Sequence, residues 1–161
     1  MSKHDVTMSI NGRQHGGTVE ARVSLADFLR DDAGYTGVHL GCEHGVCGAC
    51  TVIVDGKAVR SCLMLAVQAE GSGVKTAEGL AAPDGALHPV QQAMLDEHAL
   101  QCGFCTPGVV MTLAALTGDE KKPTEEQLLA AMSGHLCRCT GYQGIRRAVR
   151  RLAGAEAGGN S

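Results

Sequence analysis

Apolar and polar residues alternate in several stretches near the start of the chain, which is typical of half-buried strands. Asn11-Gly12 and Asp55-Gly56 lie between such stretches, and both dipeptides favour the two-residue turn of a β-hairpin. The pattern therefore predicts two hairpins and one further strand. The predicted strands are 6–10, 18–23, 51–54, 57–60 and 74–77.

A helical period replaces this alternation in one short segment and then in the second half of the chain. Ser24 precedes Leu25, Phe28 and Leu29, with Asp27 three residues on, which resembles a capping box at the start of a short helix. Residues 79–85 are typical of a linker. The helices predicted after it are 88–100, 107–116, 124–132 and 144–153.

This change of period predicts two domains that meet near residue 78. Residues 1–77 would form a mixed domain of strands with a short helix, and residues 78–153 a bundle of four helices. Residues 154–161 are rich in glycine and alanine, and we expect a disordered tail there.

Composition narrows the classes of function. The 161 residues include two Phe, two Tyr and no Trp, so the aromatic side chains that stack on bases are nearly absent. The formal net charge is -3. The first ten residues lack the apolar segment of a signal peptide, and no run of about 18 apolar residues follows. We therefore expect a cytoplasmic protein with no membrane span and no nucleic-acid partner.

Eight cysteines fall into two sets of four. In the first set, C-x4-C-x2-C is followed by a fourth cysteine after a gap of eleven residues, which is the plant-type [2Fe–2S] ferredoxin spacing. The second set can supply another four-thiolate site. A chain with two one-electron centres transfers electrons. The first set is Cys42, Cys47, Cys50 and Cys62, and the second is Cys102, Cys105, Cys137 and Cys139.

The surroundings of the two sets differ. Gly41, Gly45 and Gly48 interleave with the first set, so a loop could wrap a cluster closely and aim N–H groups at sulfur. In the second set each half ends in Cys-Thr before a predicted helix. Thr106 is a candidate N-cap with Pro107 at the first helical position, and Thr140 or a neighbour would cap the last helix. We hypothesise that two inter-helix loops each give two thiolates, with two positive helix ends facing one anionic cluster.

Other interpretations of the cysteines stay open at this point. The tight cysteine pairs disfavour a secreted disulfide scaffold. Structural zinc is a stronger rival at the second set than at the first, because Cys-x2-Cys and Cys-x-Cys pairs also occur in zinc sites. The competing functions are a zinc-stabilised interaction module and a free-standing ferredoxin, although a ferredoxin would need only the first set.

Several other residues carry weaker signals. His44 and His135 do not form the two-histidine Rieske pattern, so we expect them at the surface or beside the ligands. Arg138 stands between two ligands, where it would either raise a cluster's potential or point to solvent. The last predicted helix carries four arginines, which predicts a solvated face or, as a second interpretation, a partner contact. They are Arg146, Arg147, Arg150 and Arg151.

Five segments resemble the small iron–sulfur subunit of the molybdenum hydroxylases: LGCEHGVCGACTV, RSCLMLAVQAEG, HPVQQAML, LQCGFCTPGVVM and HLCRCTGYQGI. The resemblance covers about residues 5–152. The family includes aerobic carbon monoxide dehydrogenase and hydroxylases of quinoline and nicotine, and the same domains open xanthine dehydrogenase and aldehyde oxidoreductase. It implies an α+β fold, with an N-terminal plant-type ferredoxin-like β-grasp domain followed by a C-terminal four-helix-bundle [2Fe–2S] domain.

The resemblance also implies cofactors and partners. This chain would carry two [2Fe–2S] clusters as a non-catalytic electron-transfer subunit, beside a large molybdopterin subunit and a medium FAD subunit. We expect a heterotrimer, with its further dimerisation left open. The substrate would be an N-heteroaromatic, an aldehyde, a purine or CO, and it belongs to the large subunit.

Residue by residue, the second cysteine set matches the cluster nearer molybdenum, with Gln101 and Cys139 close to the pterin. The first set matches the cluster nearer the flavin. The implied direction of electron flow is from molybdenum through the second set to the first, and then to FAD.

Overall fold

Strands lie in the first half of the chain and the longer helices in the second, in a computed structural model that describes residues 2–118 and 122–154. The strands are β1 (Lys3–Ile10), β2 (Arg13–Glu20), β3 (Thr51–Val54), β4 (Lys57–Arg60) and β5 (Gly73–Lys75). The helices are α1 (Leu25–Asp27), α2 (Pro89–Asp96), α3 (Thr106–Thr117), α4 (Glu125–Met132) and α5 (Gln143–Leu152). A π-helical turn, Phe28–Asp32, continues α1, and 3-10 turns form at Ala66–Ala69 and Ala77–Gly79.

The strands form one five-stranded sheet in the order β2-β1-β5-β3-β4. Both predicted hairpins are present, with Ile10 opposite Arg13 and Val54 opposite Lys57. The other two pairings differ in direction: β1 pairs with β5 in parallel, and β3 pairs with β5 antiparallel. The φ angle is positive at both residues of each turn dipeptide, which is the conformation that Asn-Gly and Asp-Gly favour.

A first hydrophobic core lies between the sheet and the short helix. Alternate residues of β1 are buried in this core, together with residues of α1, of the π-helical turn and of the 3-10 turn Ala66–Ala69. Ser24 caps α1 as the sequence predicts, because its hydroxyl accepts a hydrogen bond from the Asp27 N–H at 3.0 Å. The largest buried side chains here include Met8, Ile10, Leu25, Phe28 and Leu29.

A second core fills the space between helices α2 to α5. It includes Val90, Met94, Leu113, Leu128 and Ile145. Helix α3 is buried on most of its surface because it packs both on the other helices and on β3 of the sheet. Its Gly108 lies against the chain at Gly48, where an added Cβ would come within 2.1 Å of the carbonyl oxygen. Helix α3 therefore connects the two cores.

Some predicted boundaries were wrong. Strand β2 starts at Arg13 rather than residue 18 and ends at Glu20, because pairing with β1 resumes directly after the two-residue turn. Its first residues are polar or glycine and lie at the sheet edge, so they show no alternation. Helix α2 ends at Asp96 instead of residue 100, since His98 takes a left-handed conformation with φ of 48°.

Two further expectations concern the chain as a whole. The tail expected at 154–161 lies, apart from Gly154, outside the described residues. Among residues 2–118 and 122–154, no helix has the length and apolar character needed to cross a membrane.

Candidate functional site

The first cysteine set lies in one loop and the hairpin that follows it. We call residues 41–50 the first ligand loop; it leads directly into β3. The β3–β4 hairpin then returns the chain, so that the Ser61 hydroxyl donates to the Cys50 carbonyl at 2.6 Å and Cys62 follows at once. The two-residue turn thus closes the eleven-residue gap between Cys50 and Cys62.

The thiols of the first set lie in two pairs, Cys42 with Cys47 and Cys50 with Cys62. The Cys47 N–H donates to the Cys42 sulfur at 3.3 Å, and this bond, with one from the His44 N–H, lowers the pKa of Cys42 to about 6. Burial raises the pKa of Cys62 to about 11. The loop therefore aims backbone N–H groups at sulfur, as its glycines predict.

The second cysteine set comes from two inter-helix loops. Cys102 and Cys105 belong to the loop 97–105 between α2 and α3, whereas Cys137 and Cys139 belong to the second ligand loop, residues 133–142 between α4 and α5. Here too the thiols form pairs. The sulfurs of Cys102 and Cys139 are 3.4 Å apart, and Cys105 contacts Cys137.

The two pairs of the second set differ in exposure. Cys102 and Cys139 are exposed, whereas Cys105 is buried. The Phe104 N–H, 3.5 Å from the Cys102 sulfur, is the main cause that lowers the pKa of Cys102. Burial raises the pKa of Cys105 to about 12.

The two ligand loops touch each other. The Leu136 N–H donates to the Cys47 carbonyl at 2.9 Å, which joins a cysteine of the first set to the residue before Cys137. Gly48, with φ of 80°, packs against the second ligand loop so closely that a Cβ there would lie 2.5 Å from His135 Nδ1. The two thiol sets are therefore neighbours across a contact between the two cores.

His135 is part of this contact and not a surface residue. Its side chain is buried, and Nε2 shares a hydrogen bond of 2.8 Å with the Thr112 hydroxyl. Burial, followed by the charge of Arg60, lowers the pKa of His135 to about 4. His44, in contrast, is exposed, and its Nδ1 lies beside the Cys42 carbonyl.

The arrangement of thiols fits two-iron clusters. Each set offers four sulfurs as two pairs, which suits a centre of two irons that each take two thiolates. In the described parts of the chain, no three His, Cys, Asp or Glu side chains are grouped as around one metal ion. The paired thiols and the N–H groups directed at sulfur are the features that favour [2Fe–2S] clusters.

Comparison with known proteins agrees with this interpretation. The family described as a 2Fe-2S iron-sulfur cluster binding domain matches residues 8–81, and the family described as a [2Fe-2S] binding domain matches residues 76–150. The nicotine 6-hydroxylase small subunit of Paenarthrobacter nicotinovorans is 53% identical over 90% of this chain and 87% of its own. The chain belongs to the small iron–sulfur subunits of the molybdenum hydroxylases.

Further members of this family cover the chain almost end to end. The caffeine dehydrogenase subunit gamma of Pseudomonas sp. (strain CBB1) is 52% identical over 95% of this chain and 93% of its own. Among solved structures, quinoline 2-oxidoreductase from Pseudomonas putida 86 aligns with a TM-score of 0.87 and 45% identity, over 96% of this chain and 95% of the matched one.

Family membership confirms the principal expectations. The protein is an electron-transferring [2Fe–2S] subunit of a molybdenum hydroxylase complex, and molybdenum and FAD reside on partner subunits. The mixed α/β architecture is likewise shared with the solved relatives.

One of the two helix starts beside the second set differs from the prediction, by one residue. Cys105 already has helical dihedral angles and takes the N-cap position of α3, so Thr106 is the first helical residue and Pro107 the second. Tyr142, a neighbour of Thr140, occupies the N-cap position of α5, which the prediction allowed. The Thr140 hydroxyl instead accepts a hydrogen bond from the Tyr142 N–H at 3.1 Å.

Tyr142 contributes a hydroxyl to the site, a role that the sequence pattern did not indicate. Its φ of 64° is unusual for a bulky side chain. Its hydroxyl accepts the Cys137 N–H at 2.8 Å and donates to the His135 carbonyl at 3.2 Å. Tyr142 thus holds the second ligand loop around one of the cysteines. The strained backbone and the bond are tertiary features, so the only available signal was its position after Cys139.

The other residues that the sequence analysis singled out do not take part in the contact between the two ligand loops. Gln101 and Arg138 are exposed, each next to an exposed cysteine. All four arginines of α5 are exposed, and three of them form ion pairs with residues of other helices or of the end of α2. Arg146 has no such pair among the described residues. The pairs are Arg147–Glu97, Arg150–Glu125 and Arg151–Asp96.

Proposed function

We propose that the two thiol sets hold two [2Fe–2S] clusters and connect a molybdopterin subunit with an FAD subunit. The first cluster would bind Cys42, Cys47, Cys50 and Cys62, and the second Cys102, Cys105, Cys137 and Cys139. When bound, each cluster accepts and returns one electron. The observation that carries the proposal is the hydrogen bond from the Leu136 N–H to the Cys47 carbonyl, because it brings the two sets of paired thiols next to each other.

The exposure of the second set supports an orientation towards molybdenum. Cys102 and Cys139 are exposed, and Gln101 beside them is exposed too, so a partner can approach this set closely. We place Gln101 and Cys139 next to the molybdopterin. The first set would then face the flavin subunit, where Val46 and Leu63 expose apolar surface beside the first ligand loop. Electrons would pass from the second set to the first.

The proposal includes a domain organisation. The sheet and its core would form a β-grasp domain at 1–77, and helices α2 to α5 a four-helix bundle at 78–153, since each has a separate hydrophobic core. With one molybdopterin and one FAD subunit the complex would be a heterotrimer. Free thiols in pairs are suited to a reducing compartment such as the cytoplasm.

The substrate class follows from the relatives alone. Three of them are named for nicotine, caffeine and quinoline, which all contain nitrogen heteroaromatic rings, and caffeine is a purine; this favours an N-heteroaromatic or a purine over an aldehyde or CO. Discrimination among these belongs to the large subunit.

Metal and sulfide analysis tests the proposal. The anaerobically purified protein should contain about four iron and four acid-labile sulfide per chain, and show two distinguishable EPR signals after dithionite reduction. Zinc without sulfide would refute it. Two signals in a protein that never co-purifies with molybdenum or flavin would instead indicate a free-standing electron carrier.

A further inference from the structure

Arg60, at the end of β4, joins the two ligand loops. Its Nη2 donates to the Gly134 carbonyl in the second ligand loop at 2.6 Å. Its Nη1 donates to the Thr51 hydroxyl, which donates in turn to the Gly48 carbonyl in the first ligand loop at 2.7 Å. One side chain therefore sets the position of both loops, on the side where they touch.

The charge of Arg60 is not compensated by a carboxylate. Within residues 2–118 and 122–154, the ion pairs all involve other arginines, and the partners of this guanidinium are neutral oxygens. The side chain is partly buried. A sheltered cation without a counter-charge is costly, unless an anionic group lies nearby when the protein is assembled.

Clusters bound at the two thiol sets would supply negative charge at both of the ligand loops to which Arg60 is connected by hydrogen bonds. A +2 core with four thiolates carries about -2 when oxidised, and reduction adds one more negative charge. We propose that Arg60 is a positioning residue that fixes the spacing of the two clusters and that its charge raises both of their reduction potentials. This inference rests on the proposed function, because it requires clusters at both thiol sets.

The position of Arg60 distinguishes it from Arg138, the arginine that the sequence places between two ligands. Arg138 is exposed, so water and salt screen its charge. Arg60 is partly buried at the contact of the two loops, so its charge is screened less than that of Arg138. The charge of Arg60 should therefore shift the reduction potentials of both clusters, whereas a charged residue in one loop would shift the potential of one cluster.

Potentiometric EPR titration of the purified complex tests the inference. The variants are Arg60→Gln, which removes the charge, Arg60→Lys, which keeps the charge but loses the two-pronged contact, and Arg146→Gln as a remote charge control. In Arg60→Gln both midpoint potentials should become more negative, by more than in Arg146→Gln. In Arg60→Lys the potentials should stay near the wild-type values, while the spin–spin splitting between the two reduced clusters changes.

Each outcome decides a separate claim. Unchanged potentials in Arg60→Gln would overturn the electrostatic claim, and an unchanged splitting in Arg60→Lys would overturn the positioning claim. If Arg60→Gln does not bind its clusters, the test rests on Arg60→Lys. Because lysine keeps the positive charge, a fall of both midpoint potentials in that variant would contradict the electrostatic claim. A wild-type protein without two cluster signals would refute the proposed function instead, so the two failures are distinguishable.

Discussion

The two thiol sets reach the same paired arrangement from different lengths of chain. The first set lies within one loop and the hairpin behind it, whereas Cys102 and Cys139 are 37 residues apart in sequence and still in contact. The first arrangement is a product of local structure, namely positive-φ glycines and a two-residue turn. The second depends on helices α2 to α5 packing correctly. Damage to the helical core should therefore affect the second set before the first.

The largest expected effect comes from removing one thiol in each region. Cys47→Ser should remove the first cluster and Cys105→Ser the second, each with a loss of about half the iron and sulfide, because each site binds its own cluster. EPR of the reduced complex should then show one signal in each variant, and the two variants serve as controls for each other. Loss of both signals in either variant would show that the regions do not load independently.

The contact between the regions should be sensitive to one methyl group. Gly108→Ala would place a Cβ 2.1 Å from the Gly48 carbonyl oxygen, so α3 would have to move away from the first ligand loop. We expect a loss of about 1–3 kcal/mol in the free energy of unfolding, although alanine is the better helix former. The measurement is the denaturant concentration at which the visible absorbance of the clusters is lost.

Gly73→Ala is the matched control, because a Cβ there meets no atom closer than 3.5 Å. It should leave the midpoint of denaturation almost unchanged. If Gly108→Ala were as stable as this control, the close packing of α3 on the loop would be wrong.

Removing the hydroxyl of Tyr142 should weaken the second cluster without weakening the first. Tyr142→Phe leaves the ring but removes the bonds to the Cys137 N–H and the His135 carbonyl, at a cost of about 1–2 kcal/mol. The second cluster should be lost at lower denaturant concentration than the first, as followed by their separate EPR signals.

Tyr35→Phe provides the control in the first region. It removes a hydroxyl that lies 3.0 Å from His15 Nε2 and 3.5 Å from the Ile10 carbonyl oxygen, and neither partner belongs to a ligand loop. Both signals should persist as in the wild-type protein. Equal weakening of both clusters by Tyr142→Phe would contradict a role confined to the second ligand loop.

The features that the sequence predicts are those that depend on residues close together in the chain, and the features it misses depend on the packing of distant segments. The hairpins, the cap at Ser24 and the four later helices were predictable because they depend on residues close in sequence. The edge strand at Arg13–Glu20 was misplaced, since its exposed side chains have no pattern to read. The burial of His135, the strained Tyr142 and the reach of Arg60 depend on the packing of distant segments. Local spacing indicates which residues are ligands, and tertiary structure decides what surrounds them.

The smallest expected effect concerns the ion pairs that tie α5 to its neighbours. The side chain of Arg150 is 51% exposed and that of Glu125 34%, so solvent screens the attraction between them. A double-mutant cycle with Arg150→Ala and Glu125→Ala should give a coupling of about 0.2–1 kcal/mol, decreasing with added salt. Arg22, which is exposed, and Glu20, which is half-buried, form an ion pair at the end of β2 and are the control in the first region. A coupling above about 2 kcal/mol at Arg150 would mean that the helical region is held by charge as well as by its apolar core.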